Sequence, residues 1–206
     1  MTIVSVKPGK EDGTSRLELS DGSLFSFKSC YLDPVFFDDT RYVAGAEISP
    51  GEEECFRFAS ACLRGEKAAL RLVSRAEQTG FGLGRKLEKA GYPRPCVSAV
   101  LARLRQLGVL DDSRYARMWL QSRMGRGADG PRRLLAALRR RGISRQDAEA
   151  ALRDILSPAA ERALLGSYLK KNRLPESGGT EIARILKREG FSPDLVRDYR
   201  ENSPFE

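Results

Sequence analysis

The chain has 206 residues, 41% of them hydrophobic and 31% charged, and a formal net charge of +8; that composition can bury a core without disulfide or metal staples. It contains no histidine, which removes the commonest general base and metal ligand, and with them Ser-His-Asp triads and most zinc enzymes. No apolar run approaches the roughly 20 residues of a bilayer-spanning helix, and the opening MTIVSVKPGKEDG lacks the basic-then-apolar layout of a secretion signal, so a cytoplasmic protein with no membrane partner is expected.

Charge divides the chain. Residues 1–58 hold six Lys/Arg against eleven Asp/Glu, a net −5, and the remainder carries +13. The acidic head reads as β: a β-branched run from Thr2 to Val6, alternation over Arg16–Leu19, and alternation again over Leu24–Lys28. Ser20-Asp21-Gly22-Ser23 between the last two is a hairpin signal, because its glycine accepts positive φ at no steric cost. A sheet of about three strands is too small to stand alone and should pack on helices beginning near Ser49-Pro50-Gly51-Glu52, where a cap, an N1 proline and first-turn acids coincide. The four cysteines, Cys30, Cys55, Cys62 and Cys96, show no Cys-x-x-Cys spacing and read as reduced, mostly buried thiols.

From Glu53 onward the pattern is helical and repeated. Gly91, Gly142 and Gly190 are spaced by 51 and 48 residues, each with a leucine four positions before it and a bulky apolar residue directly after. Leu83, Leu134 and Ile182 precede the glycines by eight, and Val97, Ala148 and Val196 follow by six. These offsets describe a helix, a stop with glycine in the left-handed conformation, and a second amphipathic helix. A further helix precedes each pair, over 67–78, 113–124 and 159–171. The expected organisation is an acidic β segment at 1–48, a connecting helix at 49–64, and three-helix repeats at 65–109, 110–156 (basic) and 157–206, the last including the tail. The fold class is mainly α, three tandem repeats stacked into an elongated, curved rod after a small β-rich segment. An irregular helical bundle is the plainer alternative.

The densest chemical signal lies in the middle repeat. From Ser113 to Arg145 there are ten arginines and one acid, Asp129. Starting a helix at Pro131 places Leu134, Leu135 and Leu138 on one stripe, Arg133 and Arg140 opposite, and Arg132 and Arg139 on a flank. Arg139, Arg140 and Arg141 fall in the last turn, where they complement the helix dipole, so part of the cluster is explained by helix stabilisation, and a solvated face is the bland reading. Helices built for solubility interleave acids, however, whereas this one repels itself, a cost that points to an anionic partner. Arg114, Arg117, Arg123 and Arg126 extend the cluster, and Lys170 and Lys171 make a lesser basic site. Asp111 or Asp112 should cap the helix bearing Tyr115, Ala116, Trp119 and Leu120, with Trp119 in the core rather than stacked on a base. The glycine-rich loop Gly125–Pro131 lacks P-loop spacing.

Taken together, the segment Gly108-Val-Leu-Asp-Asp-Ser-Arg-Tyr-Ala-Arg-Met-Trp-Leu-Gln-Ser-Arg123 followed by Gly130-Pro-Arg-Arg-Leu-Leu-Ala-Ala-Leu-Arg-Arg-Arg-Gly-Ile143 resembles the RecX family of regulatory proteins. The resemblance covers about residues 65–202 and is strongest in the middle repeat. It implies three tandem three-helix repeats lying in the groove of a RecA filament on single-stranded DNA, and a non-catalytic modulator that limits RecA's ATPase, strand-exchange and coprotease activities. The expected partners are the RecA filament and single- or double-stranded DNA through the basic face of the second repeat, contacted by a monomer. No catalytic, cofactor or metal residues are expected. The rival function is a stand-alone, weakly sequence-specific DNA-binding protein with helix-turn-helix-like repeats, since the basic helix carries few base-reading side chains. An enzyme using Asp111 and Asp112 ranks last, because adjacent residues at a helix start point apart.

Overall fold

The computed structural model describes residues 1–11, 13–32, 41–125, 129–174 and 179–201. It divides into two compact units, Met1–Leu110 and Asp111–Glu206. The architecture is mainly α with a small N-terminal sheet, as the sequence implies.

The first unit opens with strands β1 (Ile3–Pro8), β2 (Ser15–Leu19) and β3 (Leu24–Phe27), an antiparallel sheet in the order β1-β2-β3. Leu17 pairs with Phe25 and Ser15 with Phe27 across β2 and β3, so the alternating apolar residues gather on one face. Gly22 takes φ +86° in the connecting turn, and Asp21 Oδ1 accepts the Ser23 N–H at 2.9 Å. The buried face packs on helix α1 (Pro50–Val73), where Phe56 meets Phe27 and Tyr42 with ring centroids 5.1 Å apart in each case. α1 begins with the expected signal: the Ser49 side chain accepts the Glu52 N–H, and Glu52 accepts the Ser49 N–H at 2.7 Å. The Ser49 N–H holds the Glu52 carboxyl below the usual carboxylate range.

α1 corrects one expectation. A connecting helix at 49–64 and a separate helix at 67–78 are in fact a single 24-residue helix. No proline interrupts it after Pro50, and Gly65 is buried within it rather than ending it. A Cβ there would touch Val100 and the Cys96 thiol at 3.4–3.5 Å, so the glycine lets α3 (Arg94–Gln106) approach closely. Helix α2 (Gly80–Lys89) completes the first three-helix set. Cys62 and Cys96 are buried here, whereas Cys55 is half-buried and Cys30 is exposed; the expectation of mostly buried thiols holds for only two of the four.

The second unit contains α4 (Asp112–Met124), α5 (Pro131–Arg140), α6 (Arg145–Ile155), α7 (Pro158–Asn172), α8 (Thr180–Glu189) and α9 (Pro193–Glu201). Its core joins Leu120, Leu134, Leu138, Ala148, Leu164, Tyr168, Leu186 and Phe191. Asp111 is the cap of α4, accepting the Arg114 N–H at 2.9 Å. Glu161 of α7 is buried and accepts the Ser192 N–H at 2.6 Å, and Tyr168 meets Phe191 edge-on at 5.5 Å, tying α7 to the start of α9.

The repeat is visible at one turn made three times. Gly91, Gly142 and Gly190 have φ of +90°, +84° and +86°. After each, the apolar residue's N–H donates to the leucine carbonyl five positions back at 3.2 Å: Tyr92 to Leu87, Ile143 to Leu138, Phe191 to Leu186. This six-to-one bond satisfies a helix-terminal carbonyl and aims the next helix, and the three leucines are buried.

Candidate nucleic-acid interface

The arginine cluster sits on α4 and α5. α5 begins at Pro131 and buries Leu134 and Leu138 against the core, which leaves the flanking Arg132, Arg133, Arg139 and Arg140 exposed on its other faces. A cleft of about 390 Å³ opens between the two helices, walled by Trp119, Arg123, Arg133, Arg140 and Arg141, with Asp129, Ala136 and Ala137 completing its lining. Trp119 is half-buried at the border of the core, and the Arg141 guanidinium lies over its ring at 4.6 Å. The tryptophan packs against the core, as its helical spacing predicts, and also lines the cleft.

The structure sorts the predicted cations by what already holds them. Arg123 Nε lies 2.9 Å from the Asp129 carboxylate, and Arg133 Nε lies 3.2 Å from Glu189, a buried carboxylate on α8. Arg132 donates to the Arg188 carbonyl at 3.4 Å, and Arg141 donates to the Ala137 carbonyl at 2.9 Å. Arg114 is half-buried in the first turn of α4. Arg117, Arg139 and Arg140 are exposed and have no ion pair among the described residues. Lys170 and Lys171 are exposed in the last turn of α7, outside the cleft. Arg126 lies outside the described residues. Arg145 is spent within its own helix, 2.7 Å from Glu149, whose carboxyl it holds below the usual range.

Sequence reading overlooked two features. Glu189 is far from Arg133 in sequence, and its role depends on a close approach: a Cβ at Gly130 would fall 2.8 Å from the Glu189 Cβ, and one at Gly190 would fall 3.1 Å from the Arg132 nitrogen. Glycines at both points let the start of α5 press against the end of α8. The second feature is a basic groove between α8 and α9, lined by Arg184, Lys187, Arg197 and Arg200.

Consecutive three-helix sets after a small sheet, with a basic face on the second, define a helical-repeat protein. The model of the RecX second three-helix domain matches residues 111–152, which span α4 to α6 up to Leu152. The Regulatory protein RecX of Treponema pallidum is 39% identical over 140 residues, covering 68% of this chain and 85% of that protein. That of Mycobacterium sp. (strain JLS) is 34% identical over 139 residues, covering 63% of this chain and 75% of its own. A crystal structure of regulatory protein RecX superposes with a TM-score of 0.65 at 21% identity, covering 96% of this chain and 98% of that one. The structure of RecX from Lactobacillus salivarius gives 0.55 at 22% identity, over 68% and 95%; these two likenesses speak for the fold. The chain belongs to the RecX family. Among the described residues, no helix is long and apolar enough to cross a membrane.

Proposed function

We propose that this chain is a non-catalytic, cytoplasmic regulator that binds the RecA nucleoprotein filament as a monomer and limits its ATPase, strand-exchange and coprotease activities. DNA is held through the basic face of the second three-helix repeat, residues 110–156. The observation that carries this reading is a cleft walled by four arginines, Arg123, Arg133, Arg140 and Arg141, of which Arg140 is exposed with no ion pair among the described residues, while Arg117 and Arg139 on the same two helices are likewise exposed and form no ion pair there. Unpaired like charges on adjacent helices are a standing cost that an anionic partner relieves. Arg114, Arg123, Arg126, Arg132, Arg133 and Arg141 support that face, with Lys170 and Lys171 as a secondary contact. Family membership and the relatives' description as regulatory proteins favour regulation over catalysis.

The test is RecA ATP hydrolysis on single-stranded DNA with this protein titrated in, alongside DNA binding without RecA. Inhibition is expected well below the concentration that coats the DNA, and Arg139→Glu with Arg140→Glu should abolish it while helicity stays intact. Inhibition only at DNA saturation would instead select a second reading, a stand-alone DNA-binding protein, which the helix-turn-helix-like build of the second repeat also supports.

A further inference from the structure

The groove between α8 and α9 in the third three-helix set is a second cationic site, separate from the α4–α5 cleft. Its volume is about 550 Å³. Arg184 and Lys187 stand one turn apart on α8, and Arg197 and Arg200 stand one turn apart on α9, so each wall presents a pair of cations at the three-residue spacing of neighbours on a helix face. Buried Ala183 and half-buried Val196 form a small apolar floor between the walls. All four cations are exposed, and no acid is among the described lining residues. Arg197 also reaches Asp194 at 3.0 Å, an exposed pair within one turn that contributes little. Lys187 and Arg200 lie near helix ends where they complement the dipole, but Arg184 and Arg197 lie in mid-helix, and the dipole does not account for them.

We propose that this groove holds a phosphodiester backbone, giving the chain a second nucleic-acid contact. Two kinds of partner carry dense negative charge, a nucleic acid and an acidic protein segment. Protein partners anchor on large apolar or aromatic side chains in desolvated pockets. This groove offers none: its uncharged lining residues are Thr180, Ala183, Pro193 and Val196, and the exposed large hydrophobic residues of the described chain all lie elsewhere, the nearest in sequence being Met118. The lining holds no Asn, Gln or aromatic residue, and its four cations suit phosphate oxygens, contacts that carry no sequence information of their own. The inference deepens the DNA-binding part of the function proposed above and rests on it.

The experiment is the salt dependence of binding of the full chain to oligo(dT) and to a random-sequence duplex, without RecA. The groove variant is Arg184→Gln, Arg197→Gln, Arg200→Gln; Arg139→Gln, Arg140→Gln reports the other cleft, and Arg71→Gln, Arg75→Gln reports bulk charge. Each lost phosphate contact should lower the slope of log K against log salt by about 0.7 on single strands or about 0.9 on duplex. The groove variant should therefore lose about 2 on single strands, and which probe shows the loss identifies the form of nucleic acid held. Replacing the same three arginines by lysine should restore the slope, which separates lost charge from lost fold. A groove variant no different from the bulk-charge control, with the α4–α5 variant still reduced, overturns the inference and leaves the proposed function standing. An unchanged DNA slope with lost binding of polyglutamate also overturns it, in favour of an acidic protein partner. No DNA binding by the unaltered chain overturns both.

Discussion

The two compact units use one turn and spend their charges differently. In the first, α1 keeps two carboxylates buried and both are occupied: Glu66 accepts from Lys28 Nζ at 2.5 Å and from the Tyr31 hydroxyl at 2.6 Å, while Glu52 meets Arg41 at 2.9 Å and Tyr42 at 3.2 Å. Those bonds fasten the head to its helix. In the second, buried Glu189 and half-buried Asp129 engage Arg133 and Arg123, and other exposed arginines of α4 and α5 are left over. The three-helix scaffold is thus indifferent to charge: the buried carboxylates of the first unit fasten the head, while in the second Glu189 holds one arginine and Arg117, Arg139 and Arg140 form no ion pair among the described residues. A count of ten arginines cannot make that distinction; a list of their neighbours can.

The largest expected effect tests the shared part. Leu87, Leu138 and Leu186 are each buried at 1% exposure or less and occupy the same place in the turn. Alanine at any of them should cost about 2–5 kcal/mol. Denaturant unfolding of the three single variants should give losses of similar size. One leucine costing under about 1 kcal/mol would mean that its set is not held by the turn the others use.

A step smaller is the fastening of the head. Removing one member of a fully buried pair costs about 3–5 kcal/mol, and because the Lys28 side chain keeps 25% exposure, Glu66→Gln should cost about 2 kcal/mol. The loss should appear in the first unit alone, as faster amide exchange in β3 and α1 with α4–α9 unaffected. Equal losses in both units would show that their stabilities are coupled.

How much of this was legible beforehand follows from range along the chain. The Asp21-Gly22 hairpin, the Ser49–Glu52 capping box, the Asp111 cap and the three glycine turns each depend on residues within six positions of one another, and all form where the pattern indicates. The continuity of α1 was not legible, because a glycine inside a helix reads as a weak point until α3 is seen packed on it. The arginine cluster was legible as a density, but its division was not. Arg133 is neutralised by Glu189, 56 positions away, and only the close approach of Gly130 to that glutamate brings the two together. The α8–α9 groove escaped notice for the opposite reason: its cations are diluted in sequence by Glu181, Glu189, Asp194 and Asp198, none of which lines the groove, although Asp194 reaches Arg197 from outside the lining.

Trp119→Ala sharpens the comparison inside the second unit. A core tryptophan would cost about 3–5 kcal/mol, but this one is half-buried with Arg141 over its ring, so about 2 kcal/mol is expected. A folded variant with weakened DNA binding would assign the indole to the cleft wall, and an unfolded second unit would return it to the core.

The finest test sets two glycines with nearly equal torsions against each other. Gly91 has φ +90° and open space where a Cβ would go, so Gly91→Ala should cost only the left-handed strain, about 1 kcal/mol. Gly190 has φ +86°, but its Cβ would meet the Arg132 nitrogen at 3.1 Å and the Arg132 Cβ at 3.2 Å. Gly190→Ala should therefore cost about twice as much, because the backbone must move in addition to bearing the strain. It should also push the start of α5 away from α8 and loosen the Arg133–Glu189 pair. That displacement has a functional sign. Freed from the carboxylate, Arg133 becomes available to phosphate, so the less stable Gly190→Ala protein should bind DNA with a steeper salt dependence than the parent, while Gly91→Ala should leave it unchanged. If both variants lose stability equally and neither alters the salt dependence, then Glu189 does not restrain Arg133 in solution, and Arg133 is available to a partner in the parent protein as well.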